Sequence, residues 1–189
     1  MMCGINPGHD SAKYGYHYAH RSNHFWRCLH LSGLTAHLHP PSDGHLLPKE
    51  YSIGLTNLIE RPSAEAAEID KEEFLTAVPA FLAKVCARRP RIVCFVGKVV
   101  WDAVQRVFKA SAPKAREARF IWGLQPHKLV HDTGCVSETL FFVVPSTSAR
   151  VVSHQLDDKV KLFTLLKTIL ESVKANTLDT ASFAIVGVA

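Results

Sequence analysis

Asn6 is the side chain best placed to do chemistry. It stands in Gly4-Ile5-Asn6-Pro7-Gly8-His9, where a short β-prone stub, Met2-Cys3, runs into a turn. Pro7 fixes its own φ, and Gly8 is free to take backbone angles closed to other residues. The Asn6 amide would then be held still at the C-terminal end of a strand, where ligands of open α/β sheets collect. An amide cannot take up a proton as a carboxylate does, but it can orient a water and a neighbouring backbone by hydrogen bonding. Asn-Pro-Gly is also good turn chemistry in its own right, so turn residue and water holder are both open readings of Asn6 alone. Other chemistries lack their residues. The five cysteines, Cys3, Cys28, Cys86, Cys94 and Cys135, form no Cys-x-x-Cys pair. Such spacings suit neither zinc nor an iron–sulfur cluster, and reduced, mostly buried thiols fit better. There is no Gly-x-Ser-x-Gly elbow of the hydrolase type, and Gly97-Lys98 lacks the rest of a nucleotide-binding P-loop. No metal and no cofactor is expected.

The elements that must position Asn6 are legible in outline. Asn23–Ser32 reads as a helix with Gly33 at its C-terminal end, and Phe25 and Trp26 read as core. His37–Glu50, rich in Pro, His and Gly, reads as loop or short turns, and Tyr51–Leu58 as extended chain leading to Asn57. Asp70–Ala87 has helical periodicity, with Asp70 and Glu73 spaced as a capping box and Pro79 as an expected kink. Arg91–Val96 and Leu140–Val144 are β-branched or apolar runs suited to buried parallel strands. Helices follow from Gly97-Lys98 through Val107 and over Leu156–Val173, while Ala110–Thr133 reads as irregular with short extended pieces. Strands alternating with helices predict an α/β fold: a single-domain three-layer α/β/α sandwich around a mostly parallel sheet. The 189 residues, 47% hydrophobic and 21% charged, suit one ordinary globular core. The net charge of +5 leans mildly toward a polyanionic partner. No stretch is apolar and long enough to span a bilayer, no signal peptide opens the chain, and no membrane partner is expected.

Further strings extend the signal from Asn6: Gly15-Tyr16-His17-Tyr18-Ala19-His20, Asn23-His24-Phe25-Trp26, Gly54-Leu55-Thr56-Asn57-Leu58-Ile59-Glu60-Arg61, Phe95-Val96-Gly97-Lys98 and Val144-Pro145-Ser146-Thr147-Ser148-Ala149-Arg150. In this order and spacing the chain resembles the mismatch-specific uracil/thymine-DNA glycosylase family of the uracil-DNA glycosylase superfamily, over roughly residues 3 to 172. Gly123-Leu124-Gln125-Pro126-His127-Lys128 is similar to the eukaryotic, thymine-DNA glycosylase-like branch. The resemblance implies a monofunctional hydrolase of base excision repair. It would flip a nucleotide out of double-stranded DNA and excise uracil, thymine opposite guanine, and modified pyrimidines such as formyl- or carboxylcytosine. A non-catalytic reader of mismatched or modified DNA on the same fold is the alternative.

By that resemblance Asn6 positions the attacking water, and backbone amides near Ile5 and Tyr18 donate to the pyrimidine carbonyl. Tyr18 stacks on the flipped base, Asn57 contacts its polar edge, and Ser11 lines the pocket near position 5. Packing for Tyr18 and loop capping for Asn57 are the plainer readings. His17 either donates to a substituted base or braces its loop. His9 and Asp10, where the family pair is generally uncharged, read as a solvated loop or as modulators of pocket polarity. Pro145, Ser146, Thr147, Ser148 and Ala149 form a rigid DNA-facing loop whose serines can bond phosphates. Arg150 either fills the space left by the flipped nucleotide or simply contacts phosphate. Lys98 would hold a backbone phosphate at a helix start, and Gln125 would face the opposing strand. Lys13 is the nearest lysine to the motif, so lyase chemistry is disfavoured.

The glycosylase domain is expected over residues 1–175, as a monomer, nuclear if the source is eukaryotic and otherwise cytoplasmic. The family has a full strand before its Gly-Ile-Asn-Pro-Gly turn, against which Met1-Met2-Cys3 reads as truncated. Residues 176–189 form a tail whose apolar end, Ala181–Val188, either pairs with a sheet edge, packs on the core or stays disordered.

Overall fold

The computed structural model describes residues 1–111 and 120–187. In chain order the strands are β1 (Met2–Gly4), β2 (Leu55–Asn57), β3 (Ile92–Val96), β4 (Gly123–Val130), β5 (Glu138–Val144) and β6 (Ala184–Ile185). The helices are α1 (His9–Tyr14), α2 (Phe25–Leu31), α3 (Leu47–Tyr51), α4 (Lys71–Arg88), α5 (Lys98–Ser111) and α6 (Leu156–Lys174). The six strands form one sheet in the order β2-β1-β3-β5-β4-β6, parallel from β2 to β5, with β4 antiparallel to β5 and β6 parallel to β4.

Both faces of the sheet are buried, as continuous apolar runs require. Along β3 and β5, Val93, Phe95, Phe141 and Val143 point into a core shared with Phe81 and Val85 of α4 and Trp101 and Val104 of α5. The alternate residues Ile92, Cys94, Val96, Leu140, Phe142 and Val144 pack with Phe25 and Leu29 of α2 and Phe163 and Leu166 of α6. The period of two along each strand thus feeds two helix layers, and the expected three-layer α/β/α sandwich is the observed one. All five cysteines are free. Burial raises the Cys3 thiol and pushes Cys28 and Cys94 up to about 12, so all three stay protonated in the core.

Several local expectations change. β1 is only three residues long, yet it pairs on both sides, Met2 with Leu55 and Cys94 and Cys3 with Thr56 and Phe95. His9 and Asp10, read as loop, open helix α1, whose residues bury no side chain. That leaves no apolar periodicity to read; Gly15, at φ 74, closes the helix. His37–Glu50 contains a 3-10 turn at Pro41–His45 and most of α3, and Tyr51 ends that helix instead of opening a strand. The capping box at Asp70 does not form, because Glu73 is committed to Arg61 through two 2.7 Å hydrogen bonds. α4 runs on through Pro79 to Arg88.

The irregular segment expected at 110–133 holds an eight-residue strand, β4, with a register shift between Leu124 and Lys128; its residues 112–119 lie outside the described residues. Pro126 falls in that shift, where it has no partner on β5, and pairing resumes at Lys128. The tail adds β6 to the β4 edge, with Val186 N donating to Lys128 O at 2.9 Å; Val188 lies outside the described residues.

Candidate active site

The C-terminal ends of β1, β2, β3 and β5 open into one cleft of about 940 Å³, lined by Ile5–Ala12, Gly15–Tyr18, Asn57, Ser63–Ala67, Val96 and Ser146–Val151, among others. This is the edge at which parallel sheets present their connecting loops to ligands. The cleft therefore gathers Ile5, Asn6, His9, Asp10, Ser11, His17, Tyr18, Asn57, Ser146, Thr147, Ser148, Ala149 and Arg150. Lys98, Gln125 and Pro145 are not in its lining.

The Asn6 amide is clamped. Its Nδ2 donates to Arg61 O at 3.1 Å and to Ser63 Oγ at 2.8 Å. Ser63, buried in the cleft wall, donates in turn to Glu65 O at 2.8 Å, and its backbone N donates to Pro7 O at 3.2 Å. Gly8, N-cap of α1, adopts φ −72 and ψ 168, an ordinary extended conformation, so the glycine freedom expected at this turn is not used. Space matters instead at Gly4, where a Cβ would come within 2.6 Å of Asn57 Oδ1 and 2.9 Å of Tyr18 Oη.

Tyr18 stacks on Phe25, ring centroids 3.8 Å apart and planes 13° apart. Phe25 and Trp26 are core residues. Tyr18 lies at φ 54, a left-handed conformation that costs a non-glycine residue free energy. Its hydroxyl is buried without a hydrogen-bond partner, and burial holds its pKa well above the ordinary tyrosine value. Both costs fall on one residue of the cleft wall. Burial likewise lowers the His17 imidazole, so its neutral form dominates near pH 7. The His17 carbonyl accepts from Trp26 Nε1 at 3.3 Å, which ties this loop to α2. Ser11 Oγ accepts from Ala19 N at 3.1 Å and closes the same loop onto α1.

The opposite wall follows β5. Pro145 and Thr147 are buried, and Ser146 and Ser148 are half-buried. Ser146 Oγ accepts from Ser148 N, and Ser148 Oγ accepts from Arg150 N, both at 3.3 Å. Each hydroxyl keeps its own hydrogen to donate. His24 N donates to Thr147 O at 2.9 Å, and the buried Lys159 ammonium donates to Ser148 O at 3.0 Å. Arg150 is exposed at the mouth, where its Nη1 donates to Glu65 Oε1 of the facing wall at 2.9 Å.

Of the outlying positions, Lys98 opens helix α5 as read, and Gln125 departs from its expected outward face. Lys98 pairs with Asp102 at 2.6 Å and lies over the Phe120 ring. Gln125, expected to face DNA, is buried, and its Nε2 donates to Ile121 O just before β4 and to Gly123 O at its start. Ser63, Glu65 and the Arg61 carbonyl were missed from the sequence. Their only local signal is position: Arg61 closes the Gly54–Arg61 block, and Ser63 and Glu65 follow it. Among the described residues no group of three or more His, Cys, Asp or Glu is arranged to hold a metal ion.

The cleft thus offers an oriented amide, an aromatic wall, a second amide at Asn57 and a loop of hydroxyls beside an arginine. Such a set can orient a water against a planar heterocycle while phosphates are held outside. The family model described as Uracil DNA glycosylase superfamily matches residues 1–171 of the chain.

Proposed function

The chain belongs to the uracil DNA glycosylase superfamily, and from that premise we propose that it works in the mismatch-specific, thymine-DNA glycosylase-like manner. Membership makes it a DNA glycosylase of base excision repair, a hydrolase that acts on DNA. The finer reading is a monofunctional, monomeric enzyme built on residues 1–175. It removes uracil first, thymine opposite guanine second, and also formyl- and carboxylcytosine, in the nucleus if the source is eukaryotic. The clamped amide of Asn6, in one cleft with Tyr18 and Asn57, carries this reading.

Ser146 and Ser148 hold backbone phosphates, and Arg150 leaves Glu65 to fill the space of the extruded nucleotide. The base enters against the free face of Tyr18, whose other face rests on Phe25. Asn57 contacts the polar edge of the base, Ser11 lies near position 5, and backbone amides near Ile5 and Tyr18 meet the carbonyl. A water held at Asn6 attacks the anomeric carbon. Its oxygen bonds to that carbon as the carbon–nitrogen bond breaks, and the bonding pair leaves with the base as an anion. The water gives a proton to solvent and the base anion takes one up, so the products are a free base and an abasic sugar. Lys13 lies over Tyr14 on α1 and is not in the cleft lining, in keeping with hydrolysis rather than lyase chemistry. Asp10 lines the cleft and would repel the carboxylate of carboxylcytosine, so that base should be cut faster as pH falls and the base is protonated, which relieves the repulsion and improves the leaving group.

The test is single-turnover cleavage of a labelled G·U duplex, read as alkali-labile sites. Asn6→Ala should slow base release by roughly a hundredfold or more and leave duplex binding largely intact. A variant rate within about tenfold of the parent removes Asn6 from the mechanism. A parent protein that binds the duplex but never releases base is a reader instead.

A further inference from the structure

An asparagine amide can hold a water in two ways, and they are not equivalent. If the carbonyl oxygen faces the water, it accepts a water hydrogen and leaves the water's lone pairs free to attack. If the NH2 group faces the water, it occupies one of those lone pairs. The two orientations differ by a half-turn of the terminal torsion, whose wells are broad and roughly two-fold. Something in the wall must choose between them.

Both hydrogens of Asn6 Nδ2 are already directed away, to Arg61 O at 3.1 Å and to Ser63 Oγ at 2.8 Å, and no hydrogen bond to Asn6 Oδ1 is made among the described residues. We propose that Ser63 is the positioning residue that sets the orientation of the Asn6 amide, so that Oδ1 and not the NH2 group meets the attacking water. The inference rests on the proposed role of Asn6 and adds a residue to it.

The hydroxyl is suited to this role and to no direct one. Its single proton goes to Glu65 O at 2.8 Å, which leaves only a lone pair toward Asn6. A flipped amide would set its own carbonyl oxygen against that lone pair, two acceptors face to face. Ser63 is 4% exposed, so water does not readily replace the contact. Its position is fixed from both sides. Ser63 N donates to Pro7 O at 3.2 Å, which ties the serine to the residue after Asn6. Arg61, two residues earlier, is locked by its Glu73 pair and by a 3.1 Å bond to Glu68 O. The Arg61 carbonyl is a second acceptor for the same NH2 group, so losing Ser63 should weaken the preference rather than abolish it.

Single-turnover excision from a G·U duplex, with binding measured separately, tests this in Ser63→Ala, Ser63→Cys, Ser63→Thr and the Asn6→Ala pair. Ser63→Ala and Ser63→Cys, which lack a good acceptor, are expected to lower the maximal rate about tenfold at unchanged duplex affinity, the worth of one hydrogen bond. Ser63→Thr, which keeps the hydroxyl, should return to within about twofold of the parent. In an Asn6→Ala background, Ser63→Ala should cost nothing further. A slow Asn6→Ala beside a parental Ser63→Ala overturns the role of Ser63 alone. So does an equal loss from Ser63→Ala in both backgrounds, which would mean it does not act through Asn6. A parental rate in Asn6→Ala overturns the reading of the site and Ser63's role with it. If Ser63→Ala does not fold, Ser63→Cys against Ser63→Thr decides by the same rates.

Discussion

Gly4 carries no functional group, yet Asn57 Oδ1 and Tyr18 Oη both crowd the point where its Cβ would stand, at 2.6 Å and 2.9 Å. Its backbone lies on β1, so the demand is for space and not for an unusual angle. Neither neighbour has room to withdraw cheaply: Tyr18 is pressed on Phe25, and Asn57 ends β2. Gly4→Ala should therefore displace both side chains, lowering excision from a G·U duplex more than about tenfold and stability by about 1–3 kcal/mol, as overpacking does. Parental rate and melting temperature together would show that the wall is looser than these contacts imply. Arg150 makes the opposite case. Its exposed pair with Glu65 contributes little to stability, and its presence across the cleft mouth matters because any DNA must compete with it.

Among the elements, β6 is the one held by side chains more than by its own ladder. Two residues pair with β4, while Glu138 of β5 takes a 2.9 Å ion pair from Lys128 of β4 and a 2.7 Å hydrogen bond from Thr180 of the tail. Burial raises the Glu138 carboxyl, but the bonds from Lys128 and Thr180 outweigh it and leave the pKa below the usual carboxylate value. Glu138→Ala should release the tail and strand the Lys128 ammonium, at a cost of about 1–3 kcal/mol. Faster amide exchange confined to residues 176–187, with excision retained, is the expected result, because β6 sits at the sheet edge away from the cleft strands. Lost excision would mean that the tail supports the site.

At the scale of the molecule, acid should loosen the fold through its histidines. Burial lowers His17, His24 and His131; Lys159 and Arg27 lower His24 further, and Arg89 adds to the effect at His131. All three are neutral in both states above the ordinary histidine value. Below about pH 6.5 the unfolded chain takes up protons before the native one, so stability falls with pH until the lowered native values are reached. Glu73 and Glu138, held below the carboxylate value, extend the loss into lower pH as they are protonated. The melting temperature should drop from pH 7.5 to 5.5, and a double His17→Gln, His24→Gln variant should flatten that slope. A slope unchanged in the variant would assign the drop to groups other than His17 and His24, His131 among them.

What the sequence determined by itself is what neighbours along the chain decide. Arg91–Val96 and Leu140–Val144 read as buried strands, because short β-branched or apolar runs suit a sheet covered on both faces. The Pro7 turn places Asn6 at a strand end, and Tyr18, Asn57 and Arg150 stand in blocks whose spacing is readable without a structure. The partners of polar atoms were decided only by tertiary structure. Asn6 meets Ser63 from 57 positions away, and Glu65 meets Arg150 from 85. β4 exists because the edge of β5 pairs with Gly123-Leu124 and again with Lys128–Val130 on either side of a register shift that holds Gln125, Pro126 and His127, and Gln125 turns inward where that interrupted ladder leaves carbonyls to satisfy. Apolar burial follows a period that one segment contains in full. A hydrogen bond needs a second group at a set distance and angle, and in this cleft packing alone brings that group across the fold.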